Sequence, residues 1–242
     1  MAACFCMTAY AQTNKQTEMK KKILFAVTSR DKLGNTEKST GYYLSEVSHP
    51  WEVLKNAGYE IDFVSPLGGK APVDGFDLSD PTNKLFWEDS EYKSKIENTL
   101  KPSDVATSDY VAIYYAGGHG TMWDFPENKE LAEIARDIYE NGGVVSAVCH
   151  GPSALVNIKL SNGKYLVEGK YINSFTNAEE ESIELQNIVP FMLETKLIER
   201  GAKFEKSGLW EAHVTTDQRV ITGQNPQSAK GVGEAILKEI KK

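Results

Sequence analysis

The strongest constraint on this chain is an alternation. From Lys22 onward, short runs rich in β-branched and aromatic residues take turns with amphipathic stretches: ILFAVTS, then SEVSHPWEVLKNAG, then YEIDFVSP. These periods predict a strand, a helix closed by Gly58 and a second strand. The pattern recurs. YVAIYYAGG is a continuous apolar run, ENKELAEIARDIYENGG has helical spacing and ends on Gly142 and Gly143, and VVSAVC is another buried run. Runs that are apolar at every position belong to strands covered on both faces. YINSF and RVITG predict later strands, and IVPFMLETKLIERG and SAKGVGEAILKEIKK later helices. The expected fold is therefore α/β: a flavodoxin-like, doubly wound, mostly parallel sheet with helices on both faces. Ligands bind such sheets beyond the carboxyl ends of the strands.

With 242 residues, 40% of them hydrophobic and 25% charged, the chain can bury one sizeable core, and no long polar linker divides it. Residues 21–242 are expected to form a single domain and residues 1–20 an N-terminal extension. ACFCMTAYAQTNKQTEMKKK begins apolar, reaches Ala9-Tyr10-Ala11 before Gln12 and turns polar. This resembles the end of a secretory signal peptide without its charged beginning. Two locations follow: the periplasm, with cleavage after Ala11, or the cytoplasm, with a short extension. Cleavage would remove Cys4 and Cys6 and leave Cys149 alone, so the fold cannot depend on an internal disulfide. The formal charge of −7 argues against a nucleic-acid partner, since the basic runs are only Lys20 to Lys22 and Lys241-Lys242. No apolar run is long enough to cross a bilayer. The segment from Pro66 to Pro102 lacks a clean period and reads as an insertion covering part of the site or a neighbouring subunit.

VVSAVCHGPSAL places a cysteine between a buried strand and a Gly-Pro pair. The strand should end at Val148 and a helix begin near Pro152, which suits a first helical turn because its missing N–H would be unpaired there. Cys149 then sits on a nucleophile elbow, with small residues two before (Ala147) and two after (Gly151) permitting a sharp turn. Amides at the start of the helix are expected to lower the thiol pKa, which would also make Cys149 the most oxidation-sensitive residue. Gly117 and Gly118, in AGGHG, end the preceding apolar run and allow backbone N–H groups to approach a ligand. Of the four histidines, none has HxH or HExxH spacing, and no metal is indicated. His119 has two readings, a lining residue of the pocket or a turn histidine bonded to backbone, and the second is expected. Trp123 and Phe125 read as a wall of the site or as part of the core, with the wall slightly favoured.

Four stretches together carry a family resemblance: AGGHGTMWDFPENKEL, NGGVVSAVCHGPSAL, LVEGKYINSFTNAEEE and RVITGQNPQSA. They resemble the ThiJ/PfpI superfamily, within the class I glutamine-amidotransferase-like fold, and most of all its heat-shock-chaperone branch, which includes glutathione-independent glyoxalases. The resemblance runs from about Lys21 to the C-terminus. It implies Cys149 as nucleophile, His150 as the adjacent histidine, and Glu46 in YYLSEVSHPWEVL as the acid that contacts the thiol. Glu180 in FTNAEEES matches the acid that orients the histidine, with Glu179 and Glu181 one residue to either side. Read from sequence alone, Glu46 is an ordinary first-turn acid favoured by the helix dipole; only the resemblance gives it a role in the site.

The resemblance also implies a cofactor-independent glyoxalase, a lyase in a stress-protective protein. Cys149 would add to methylglyoxal as a hemithioacetal, with the oxyanion held by Gly117, Gly118 and His150, and Glu46 or His150 would move a proton on the way to lactate. The expected partners are a small reactive aldehyde, unfolded proteins if the chain is also a holding chaperone, and a second copy in a homodimer. Two rival readings accompany this one. Cys, His and Glu can make the acyl-transfer triad of a PfpI-type cysteine peptidase or amidase, and a holding chaperone needs no catalysis.

Overall fold

The computed structural model describes residues 22–242. In chain order it begins with β1 (Lys22–Ala26), β2 (Tyr42–Tyr43), α1 (Leu44–Asn56), β3 (Glu60–Val64), β4 (Val73–Asp74), α2 (Pro81–Glu88) and α3 (Ser90–Glu97). Then come β5 (Tyr110–Tyr115), α4 (Thr121–Asp124), α5 (Lys129–Glu140), β6 (Val144–Val148), β7 (Tyr171–Ile172) and α6 (Asn177–Ser182). The chain closes with α7 (Leu193–Glu199), β8 (Lys203–Phe204), β9 (Val214–Asp217), β10 (Val220–Gly223) and α8 (Ala229–Glu239). Cys4, Cys6 and the Ala9-Tyr10-Ala11 site lie outside the described residues.

The apolar runs form one sheet of order β3-β1-β5-β6-β10-β9. Its first five strands are parallel, and their order is the flavodoxin-like one. Only β9 is antiparallel, pairing with β10 at the edge. Successive residues of β1 serve opposite faces. Ile23 and Phe25 join a cluster with Phe63, Tyr114, Trp51 and Leu54 of α1, and Val232 and Ile236 of α8. Leu24 and Ala26 join Ile113, Tyr115 and Val145 beneath Leu131, Ile134 and Ile138 of α5. This two-sided burial is why the strands read as unbroken apolar runs. α5 starts on the side chain of Asn128, which accepts the Leu131 N–H, and Gly142 follows its end with φ +91°.

Three expectations are revised. YINSF is a strand only at Tyr171–Ile172, where it pairs with β8 in a separate small sheet. Beyond it the chain leaves the extended path because the Asn173 N–H donates to Thr222 Oγ1 and the Phe175 N–H donates to Cys149 O. The helix near Pro152 is a tighter 3-10 segment, Gly151–Asn157, rather than an α-helix. The stretch from Pro66 to Pro102 contains two short helices that the period did not reveal. Asp80 and Asp89 start them by accepting backbone N–H groups, and Phe86 and Tyr92 pack edge-on against Trp51 at 5.2 and 5.4 Å. This segment covers the outer side of α1. Among the described residues no helix is long and apolar enough to cross a membrane.

Candidate active site

Cys149 follows β6 directly and has φ +58°. A non-glycine residue adopts this left-handed conformation only when its surroundings impose it. Backbone bonds on both sides do so: its N–H donates to Gly223 O at 2.9 Å and its carbonyl accepts the Phe175 N–H at 2.8 Å. The turn also needs Gly151, where a Cβ would lie 2.2 Å from Tyr115 O. The elbow expected from the sequence is therefore present, but the thiol is not exposed; Cys149 is 4% accessible. Nor is its pKa lowered. Burial pushes the thiol up, a charged Glu46 alongside pushes it further, and the His150 N–H is a weaker opposing influence. Both conditions behind the expected oxidation sensitivity are thus absent from the resting site.

Glu46 lies in the first turn of α1 and is completely buried. Pro50, four residues on, has no N–H to give to the Glu46 carbonyl, and the Tyr114 hydroxyl donates to that oxygen instead at 2.6 Å. The helix is thereby tied to the middle of the sheet at the residue whose side chain enters the site. The Gly117 N–H donates to Glu46 Oε2 at 2.8 Å, while Oε1 is buried with no well-formed partner among the described residues. The carboxyl is left sharing its proton with the adjacent thiol. Burial raises its pKa to about 8, against the opposing influence of that thiol and the Gly117 amide.

His150 Nδ1 is 3.4 Å from Cys149 Sγ, and Nε2 is 2.7 Å from Glu180 Oε2. Of the three neighbouring acids, Glu180 is the one that orients the histidine. Its Oε1 meets His119 Nε2 at 3.0 Å, so His119 belongs to the site rather than bonding to backbone. Burial alone would raise the Glu180 pKa, but the two histidines overcome it and hold the carboxyl at about 2. His150 is shifted down, first by burial and then by His119, with Glu180 pulling the other way. An anionic Glu180 accepts from Nε2, which leaves Nδ1 as an acceptor facing the thiol. The ligand-type atoms of His119, His150 and Glu180 lie within 4.8 Å of one another, but they are engaged with each other.

The two glycines of the GGHG loop divide in function. Gly117 is needed for space, since a Cβ there would lie 2.5 Å from Glu46 Oε2 and 2.8 Å from His150 N. Its N–H is committed to Glu46, which removes it from the expected oxyanion role. Gly118, at φ +101°, borders the cavity above the thiol together with His150. The cavity measures about 270 Å³ and is lined by Tyr43, Asp74, Phe175 and Trp210 as well as the residues above. None of these four stood out in the sequence, because β4 is two residues long and the Trp210 loop has no period. Among the described residues no Lys or Arg lines the cavity, so these residues offer no such cation to a phosphorylated cofactor. Phe125 instead packs in the core against Tyr115, and Trp123 against the core's edge; neither walls the cavity.

The DJ-1/PfpI family model matches residues 39–239. Glyoxalase 3 of Candida albicans is 36% identical over 229 residues, covering 89% of this chain and 97% of that protein. A glutathione-independent glyoxalase of Saccharomyces cerevisiae is 34% identical over 237 residues, covering 91% and 98%. The crystal structure of the Rapid Encystment Protein of 24 kDa from Francisella tularensis is similar with a TM-score of 0.88 at 40% identity, covering 91% of this chain and 99% of that one.

The crowding at Gly117 gives a direct test. Gly117→Ala should fold but lose about 1–3 kcal/mol, read as a melting temperature lower by several degrees, because the added methyl must displace the Glu46 carboxyl or the elbow. An unchanged melting temperature would show that the loop is not packed against Glu46 in this way.

Proposed function

We propose, from the premise that this chain belongs to the DJ-1/PfpI family, that it is a glutathione-independent glyoxalase converting methylglyoxal to lactate. One observation carries the reading. Cys149 lies at the base of a small cavity with a buried carboxyl of raised pKa on one side and an oriented imidazole on the other. The names of the relatives that span nearly the whole chain support it.

In the reaction, Sγ adds to the aldehyde carbon and Glu46 accepts the thiol proton. The amides of Gly118 and His150 border the place where the oxyanion develops, and Glu46 returns the proton to it, giving a neutral hemithioacetal. The carboxylate is then again a base. It removes the hydrogen from the former aldehyde carbon and delivers it to the neighbouring carbon through an enediol, while the hydroxyl proton passes from the first oxygen to the former ketone oxygen, leaving a thioester of lactate. Water, activated by His150 Nδ1 with Glu180 holding the ring, cleaves the C–S bond and restores the thiol. The net change is addition of one water, with no external electron donor or acceptor. A pKa of about 8 suits a group that must both take and give a proton near neutrality.

The buried thiol and the small cavity favour an aldehyde over the extended backbone that a peptidase must admit. A homodimer is part of the proposal. Leu67, Phe76 and Leu85, exposed on the segment between Pro66 and Pro102, supply apolar surface for it.

Purified protein, without glutathione or added metal, should form lactate from methylglyoxal. Cys149→Ser should lower the rate by a factor on the order of a thousand or more, and His150→Ala by about a hundredfold. Lactate formation that survives in Cys149→Ser would refute the mechanism, and absent lactate with cleavage of a peptide or amide would favour the hydrolase. Light scattering at micromolar concentration should give the mass of a dimer; a monomer mass would remove the dimer from the proposal.

A further inference from the structure

The cavity is larger and more aromatic than methylglyoxal requires. At about 270 Å³ it approaches the ~300 Å³ at which pockets begin to enclose drug-sized ligands, whereas the substituent of methylglyoxal is a single methyl group. Beside His150 its wall is an aromatic corner. The Phe175 ring lies 4.4 Å from the His150 ring at 35°, and Trp210 meets Phe175 edge-on at 5.5 Å. The acidic lining groups are Glu46 and Asp74, which disfavour an anionic substrate.

Trp210 is held there at a cost. Its φ is +60°, an outlier for so bulky a residue, and the residue, which lines the cavity, remains 39% exposed. The strain is maintained by Glu179, a fully buried carboxylate outside the proposed chemistry. Glu179 Oε1 accepts the Trp210 N–H at 3.0 Å together with Gln224 Nε2 at 3.0 Å and Asn225 Nδ2 at 2.9 Å. Its Oε2 accepts the Thr176 N–H and hydroxyl, both at 2.9 Å. A buried carboxyl group satisfied by five donors, one of them the backbone of a strained tryptophan, over-determines the position of that residue, as strained residues at binding sites commonly are.

Resting on the glyoxalase reading, we propose that the preferred substrates are uncharged 2-oxoaldehydes bearing an aromatic or other bulky apolar group on the ketone carbon, and that Trp210 selects them. The chemistry is unchanged. The thiol adds to the aldehyde carbon, the hydrogen there moves to the ketone carbon, and water cleaves the C–S bond, so the aldehyde is oxidised as the ketone is reduced. Phenylglyoxal would give mandelate. Its aryl ring fills the Phe175–Trp210 corner, which a methyl group leaves to water.

The test compares kcat/KM for phenylglyoxal and methylglyoxal, without glutathione, in the wild type, Trp210→Ala and Trp210→Phe. Among the described residues no arginine lines the cavity, so guanidinium modification by phenylglyoxal does not touch these residues. The wild type should favour phenylglyoxal by about tenfold or more, Trp210→Ala should lower that ratio about tenfold, and Trp210→Phe should restore part of it. A wild type that turns over methylglyoxal and favours it, or a ratio unchanged in Trp210→Ala, overturns this inference alone. Turnover of neither substrate overturns the glyoxalase reading and this inference with it.

Discussion

Two backbone hydrogen bonds keep Cys149 in the left-handed region, one to Gly223 at the end of β10 and one from Phe175. Everything in the site is placed relative to that residue. The bond to Gly223 exists because β6 and β10 are parallel neighbours in register, with Gly223 opposite Val148. The bond from Phe175 draws the chain away from β7 and brings Phe175 against His150. The parallel sheet thus fixes the thiol at its carboxyl edge, and the same bonds that strain the elbow build one wall of the cavity.

The second constraint is electrostatic. A carboxyl and a thiol are buried side by side where two negative charges cannot coexist, so the pair loses its first proton as a unit. Two hydrogen bonds prevent Glu46 from swinging away: the Gly117 amide on its side-chain oxygen and the Tyr114 hydroxyl on its own carbonyl. Pro50 has a constructive part in this, because the N–H it lacks frees the carbonyl that Tyr114 occupies. On the other side Glu180 is kept ionised between two histidines, so the imidazole presents an acceptor to the sulfur.

The sheet was largely legible in the sequence because burial on both faces leaves unbroken apolar runs: β3, β5, β6 and β10 fall within the runs that predict them, and β1 begins one residue before its run. β9 was missed because an edge strand of four residues, VTTD, carries no such run. The elbow was legible from local chemistry: a strand end, small flanking residues and Gly-Pro. Its ionisation was not, because burial of the thiol depends on α1, the GGHG loop and the Phe175 segment, which are distant in sequence. Glu46 was visible only through resemblance, since a first-turn acid has the same local signature whether it faces water or a cysteine. Glu179 shows the same limit: EEE gives no sign that its first member carries a buried hydrogen-bond network while the second orients the histidine.

Below its first titration the buried Glu46–Cys149 pair holds two protons, and loss of the first, which leaves one shared between them, arms the site. The pH dependence of kcat/KM for methylglyoxal tests it most directly. A group that must be deprotonated to act gives a rate that rises with pH below its pKa and levels above it. The rate should rise about tenfold per pH unit on the acid side and level above about 8, where Glu46 titrates, with this limb absent from the residual activity of Glu46→Gln. A profile flat through this range, or the same limb at an undiminished rate in Glu46→Gln, would contradict it.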